Sequence, residues 1–193
     1  MFPRRSTATL VLVFLTLLAP LLGQSRQDQA AASRPEAPSS RLVPYRGNEL
    51  EISYPDNWTV TKTSTAVTLT PEDGIVSGSL AYGMLVDIFE PRTQDADGGS
   101  TLDATDQLIQ ELQRSNPNLR VVRKVQKRIG GDAALEVEMT NESPVGGREF
   151  ERLTAVMRSR NKLHYFLAVA PQSEANRYSA IFERMISSIR FYN

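Results

Sequence analysis

The chain's one histidine, His164, sits among Leu163, Tyr165 and Phe166. An imidazole beside a carboxylate and a hydroxyl nucleophile supports acyl transfer, because it takes the nucleophile's proton and returns it. No Gly-x-Ser-x-Gly turn accompanies it, and an interior strand around it makes it a structural histidine. Asp87 lies inside the apolar run Met84 to Phe89. A carboxylate buried there is costly unless it is paired or hydrogen-bonded. It is either a ligand-binding acid or a group that faces the sheet's polar side or pairs with an arginine; the second is expected. Asp95, Asp97 and Gly98 offer clustered oxygens of the kind calcium takes. No distant bidentate glutamate follows at EF-hand spacing, so a solvated loop is expected.

Arg120, Arg123, Lys124, Lys127 and Arg128 line up along one predicted strand. A nucleic-acid face also wants exposed aromatics, which this stretch lacks. Two readings remain: an edge strand guarded by cations against stray pairing, and a dock for anionic lipid or an acidic partner. Gly146-Gly147 after Ser143-Pro144 is either a backbone nest for an anion or a tight connection between strands. Arg123, Lys124, Lys127, Arg128, Ser143, Gly146 and Gly147 are therefore the candidate binding residues. No catalytic or metal-ligating residue is assigned, and no cofactor is expected.

Composition bounds these options. The 193 residues are 40% hydrophobic and 23% charged, with Lys+Arg 22 against Asp+Glu 22. That is a globular composition, long enough for one proper core and too short for two. The even balance gives no electrostatic argument for nucleic acid or an anionic membrane as the main partner. Cysteine is absent, which excludes thiol nucleophiles, disulfides and cysteine zinc sites.

The N-terminus carries an address. Arg4 and Arg5 precede an apolar run from Ala8 to Leu22, then Gly23-Gln24-Ser25. A basic start, a short apolar core and a small-x-small site describe a secretory signal peptide over 1–25. The run is short for a membrane-spanning helix, which needs roughly 20 apolar residues; an uncleaved inner-membrane anchor is the alternative. The expected location is periplasmic or extracellular, with no transmembrane span after cleavage. Residues 26–46, rich in Gln, Ala, Ser, Pro and Arg, read as a disordered linker. The domain is expected over 47–193.

Within it, Leu50, Ile52 and Tyr54 alternate as a strand, and the turn Pro55-Asp56-Asn57 leads to Trp58 and Val60. With Val67 and Leu69 this predicts an antiparallel meander. Ile75 to Tyr82 reads as a loop, and Gly83 to Glu90 as a central strand. Ser100 and Asp103 fit a capping box. Leu102, Leu108, Ile109 and Leu112 keep helical spacing until Asn116-Pro117. Gly130-Gly131 turns one hairpin, and Ser159-Arg160-Asn161 a second. Ser173 is expected to cap a last helix bearing Tyr178, Ile181, Phe182, Met185, Ile186 and Ile189 on one stripe. The fold class is α+β, with a twisted, largely antiparallel sheet covered by two main helices.

The stretch Leu50-Glu51-Ile52-Ser53-Tyr54-Pro55-Asp56-Asn57-Trp58 resembles the opening of the PsbP-like superfamily. Gly130-Gly131-Asp132-Ala133-Ala134 and a closing helix ending at Phe191 fit the same pattern. The resemblance spans 47–193 and implies an α/β/α sandwich. Thr105 to Ile109, Asn116 to Leu119, Asn141 to Glu149 and Phe166 to Pro171 are similar to C-terminal accessory domains of bacterial membrane-associated zinc metallopeptidases. Those peptidases need His-Glu-x-x-His, and this chain has only His164, so the resemblance implies an accessory role and no peptidase activity.

The leading expectation is an exported, non-catalytic accessory or protein-interaction module of the bacterial envelope. Its partner would be an envelope protein, with a protease or an assembly complex as candidates and nucleic acid excluded. A small-ligand or metal-binding envelope protein is the alternative, and an envelope hydrolase the second. A ligand binder should show a pocket with converging polar groups; an interaction module should show a shallow patch. Oligomeric state is not legible.

Overall fold

A computed structural model describes residues 34–92, 100–159 and 161–192. The expected signal peptide, residues 26–33 of the expected linker and the Asp95-Asp97-Gly98 loop lie outside them.

The strands are β1 (Leu42–Arg46), β2 (Leu50–Pro55), β3 (Thr59–Lys62), β4 (Val67–Thr70), β5 (Ile75–Val76), β6 (Ser79–Leu80), β7 (Gly83–Phe89), β8 (Arg120–Ile129), β9 (Asp132–Glu142), β10 (Arg148–Ser159), β11 (Lys162–Pro171) and β12 (Arg190–Phe191). The helices are α1 (Thr101–Ser115) and α2 (Ala175–Ser187). A seven-stranded sheet runs β3-β4-β7-β11-β10-β9-β8, a three-stranded sheet runs β1-β2-β12, and β5-β6 is a separate hairpin. Among the described residues every strand pair is antiparallel.

The large sheet is covered on both faces. Helix α1 packs against β9, β10 and β11, and α2 against β2 and β11. Strand alternation sorts the core accordingly. On β11, Leu163, Tyr165, Leu167 and Val169 join the α1 cluster, while Phe166, Ala168 and Ala170 join the α2 cluster. The single expected core is thus split by the sheet into two.

Ser100 caps α1: its Oγ accepts from the Asp103 amide at 3.1 Å and donates to Asp103 Oδ2 at 2.7 Å. Asn116 ends the helix, its Nδ2 donating to the Leu112 carbonyl at 2.9 Å. Leu102, expected on the apolar stripe, is 48% exposed. The α2 stripe is buried throughout, from Tyr178 to Ile186, and Ile189 joins it from beyond the helix end. Gly83 takes φ 136°, and a Cβ there would meet the Leu69 carbonyl oxygen at 2.4 Å. Only glycine lets β7 pass β4 so closely.

Five expectations are corrected. Folded structure begins before Gly47, because β1 pairs with β2 in register where a disordered linker was expected. The meander forms only in part: β3 and β4 pair antiparallel, but the turn at Pro55-Asp56-Asn57 carries the chain from the small sheet, which holds β2, to the large one. Alternation marks a strand but not its partner, and the partners of β2 lie at both ends of the folded chain. Ile75 to Leu80 is a short hairpin, not a loop. Ser173 does not cap α2; it sits in a 3-10 turn, Gln172–Glu174, and Glu174 occupies the cap position without a side-chain cap bond. The Glu174 carboxylate is turned instead to Arg34 and Arg177. Finally, α2 stops at Ser187, and Phe191 belongs to β12 beside Leu50.

Candidate ligand-binding cleft

Strand β10 is a central strand buried on both faces, yet it carries Glu149, Glu151 and Arg152. Arg152 points to the α2 face. Its guanidinium bonds Glu183 at 2.6 Å and approaches Glu136 at 3.9 Å. Lys127 closes the network onto Glu136 at 2.7 Å.

Glu149 and Glu151 are two residues apart, so both side chains point to the α1 face. Each is 5% exposed. Asn141 of β9 lies directly opposite Glu149. The Asn141 Oδ1 accepts the Glu142 amide at 2.9 Å, which leaves its NH2 for the glutamates. Burial first, then the hydrogen bond and charge of Glu151, push the Glu149 carboxyl up to about 8, against the pull of Asn141. Burial also raises Glu151, with Glu149 and Asn141 holding it back. The pair therefore keeps a proton at neutral pH, as close carboxylates do when desolvated. One oxygen, Glu149 Oε2, is buried without a partner.

These groups floor a cleft of ≈ 500 Å³. Leu112 of α1, Leu119, Leu80 of β6, Leu85 and Leu167 wall it, and the β9–β10 turn with Ser143 and Pro144 forms its rim. The turn is held by Ser143 N donating to Gly147 O at 3.0 Å and Gly146 N donating to Ser143 O at 2.9 Å. Gly146 and Gly147 take φ 93° and 73°, where glycine bears no penalty.

The sequence-derived candidates are scattered. Ser143 reaches the cleft. Gly146 and Gly147 shape its rim, and the Gly146 amide is already bonded. The cations of β8 point apart and are paired. Arg123 makes a two-point contact to Glu138 at 2.7 and 2.6 Å. Lys124 meets Asp106 of α1, Lys127 joins the Arg152 network, and Arg128 bonds the Gly131 carbonyl at 2.8 Å. Strand β8 is an edge, and its bulge between Val121 and Arg123 leaves Val122 61% exposed. Asp87 is half-buried and accepts from Tyr165 OH at 3.3 Å, rather than from an arginine.

His164 lines a second cleft of ≈ 600 Å³ with Glu49, Lys162 and Tyr45. Its Nε2 lies 3.0 Å from Glu49 Oε2, while Lys162 bonds the other oxygen at 2.8 Å. Burial lowers the His164 pKa despite Glu49, and its ring abuts Phe191 at 5.5 Å. The glutamate is already neutralised by lysine, so this is a strand-end lock.

Among the described residues no group of three or more His, Asp or Glu side chains could hold a metal ion. No helix among them is long and apolar enough to cross a membrane.

No family model matches the chain, and no curated protein matches it. Solved structures do. The cyanobacterial PsbP (CyanoP) of Synechocystis sp. PCC 6803 aligns with TM-score 0.58 at 14% identity, over 78% of this chain and 92% of its own. The Ran-binding protein Mog1p of Saccharomyces cerevisiae aligns with TM-score 0.54 at 10% identity, over 80% and 96%. LpqN, involved in cell envelope biogenesis of Mycobacterium tuberculosis, aligns with TM-score 0.50 at 12% identity, over 79% and 91%. The likeness is one of fold: a mostly antiparallel sheet with a helix on each face, of the PsbP-like kind.

Proposed function

We propose that this chain is an exported, non-catalytic accessory module of the bacterial envelope that acts by binding, and that the Glu149–Glu151 cleft is its binding site. The carrying observation is the unpartnered Glu149 Oε2 buried on the floor of an apolar-walled cleft. Burying an unpaired polar atom costs roughly 1–3 kcal/mol, a cost that a bound ligand's donor would remove. The non-catalytic reading is supported by His164, the one imidazole, being packed against Phe191 and bonded to Glu49. Export rests on the Arg4-Arg5 start and the apolar run that follows. Ser143 is a contact residue at the rim, with Gly146 and Gly147 setting the rim's shape. Arg123, Lys124, Lys127 and Arg128 serve the β8 edge and its ion pairs.

A second reading has its own observation. Val121 and Val122 are exposed on the β8 edge, which suits a protein partner such as an envelope protease or assembly complex. Native mass spectrometry of the chain recovered gently from producing cells tests the first reading. A co-purifying small molecule, lost when Leu85→Trp or Leu167→Trp fills the cleft, is expected. A ligand-free mass, or an adduct both variants retain, would overturn it.

A further inference from the structure

We propose that the Glu149–Glu151 cleft is selective for a small organic amine with an apolar tail, bound as its ammonium ion. The inference rests on the cleft being the binding site and adds the chemical class of its ligand. Two independent features point to it. The first is the carboxyl pair, side by side on β10. The second is the unpartnered Glu149 Oε2, on a side chain only 5% exposed that lines the cleft.

Charge sets the ligand's sign and size. Burial holds a proton on Glu149 at neutral pH, and any charge the pair carries is negative, which matches a cation. A divalent cation would have to expel that proton and then find more oxygens. Calcium takes 6–8 oxygen ligands. Asn141 has its Oδ1 on the Glu142 amide and leaves an NH2, which only donates, for the glutamates. An ammonium group needs the reverse: acceptors for its N–H donors. Glu149 Oε2 is such an acceptor, and the Glu151 carboxyl is beside it. The exposed carboxylate of Glu142 stands at the mouth and repels anions.

The walls set the tail. Leu80, Leu85, Leu112, Leu119 and Leu167 surround the acids, so a hydrated inorganic ion would leave most of the cleft unfilled. An alkyl or aryl chain of several carbons fills it and gains by leaving water.

The probe is n-hexylammonium, titrated into the full-length exported chain at pH 7 and followed by calorimetry and amide NMR. Saturable binding is expected, with shifts centred on Asn141, Glu149 and Glu151. n-Hexanol should bind at least about tenfold more weakly, since it lacks the charge-assisted hydrogen bonds. n-Hexanoate should not bind. Glu149→Gln and Glu151→Gln, each isosteric, should each weaken hexylammonium about tenfold or more while leaving the NMR fold signature intact. Hexanol binding as tightly as the amine, in the same shifted residues, would overturn the amine assignment and leave the cleft's binding role standing. Saturable calcium or magnesium binding that displaces hexylammonium would overturn it in favour of a metal site. Binding of none of the probes would overturn it as well.

Discussion

Glu149 and Glu151 occupy alternate positions of one central strand, so that two carboxyls share one buried, leucine-walled cleft. Their backbone neighbours explain why they stay there. β10 is paired along most of its length to β9 and β11, so neither side chain can turn to solvent without breaking the sheet.

This arrangement fixes a pH dependence. A free glutamate titrates at about 4.3, whereas folded Glu149 titrates at about 8. The folded state holds the proton more tightly, so its contribution is fully present below the unfolded value and is lost as pH rises through the folded one. Urea midpoints should fall between pH 5.5 and pH 9. In Glu149→Gln the fall should be clearly smaller, with Glu151 and Glu142 as the remaining acids of the cleft. Equal falls in both proteins would mean Glu149 is ionised in the fold.

His164 runs the other way. Its pKa is lowered by burial, so it contributes stability above its unfolded value and loses it as pH falls. His164→Gln should flatten the decline on the acid side and leave ligand binding in the other cleft unchanged. Loss of binding at an unchanged Tm would make His164 part of the working site.

Trp58 anchors the α2 face. It is 6% exposed, with its ring 6.2 Å from Tyr178 and 6.3 Å from Phe182. Trp58→Ala should cost about 3–5 kcal/mol by chemical denaturation. Trp58→Phe should cost much less, because Nε1 is a buried donor without a partner. A loss under about 1 kcal/mol for the alanine variant would show that the ring is not a core element.

Helix α2 is structural. Tyr178, Ile181, Phe182, Met185 and Ile186 are all buried, and each such side chain contributes roughly 1.5–3 kcal/mol. Their sum rivals a typical domain's margin of about 5–15 kcal/mol. A chain ending at Pro171 also lacks β12, and it should show no cooperative unfolding transition. A cooperative transition would make the helix a docking element.

Local signals were readable. The Ser100–Asp103 cap, the Gly130-Gly131 turn and the α2 stripe all follow from residues close in sequence. What failed was non-local. β2 alternates as expected, but its partners, Tyr45 for Ile52 and Phe191 for Leu50, come from the two ends of the domain. The cleft failed for a related reason. Glu149 and Glu151 at alternate positions, in a strand that continues through Leu153, Ala155, Val156 and Met157, were a legible anomaly. Their importance depends on Asn141 facing them across the ladder and on α1 closing above, which spacing does not encode. The β8 cations look like one stripe in sequence, but pleating sends them to opposite faces and to different partners, Lys124 to Asp106, Lys127 to Glu136 and Arg128 to a backbone carbonyl.

Photo-crosslinking in producing cells tests the central claim most directly. A benzophenone side chain placed at Ser143 samples the cleft, and one at Val122 samples the exposed β8 edge. The account predicts a discrete small-molecule adduct at Ser143 that disappears with Glu149→Gln, and no discrete adduct at Val122. A single protein partner captured at Val122, with Ser143 left unmodified, would contradict it and move the working surface to the sheet edge.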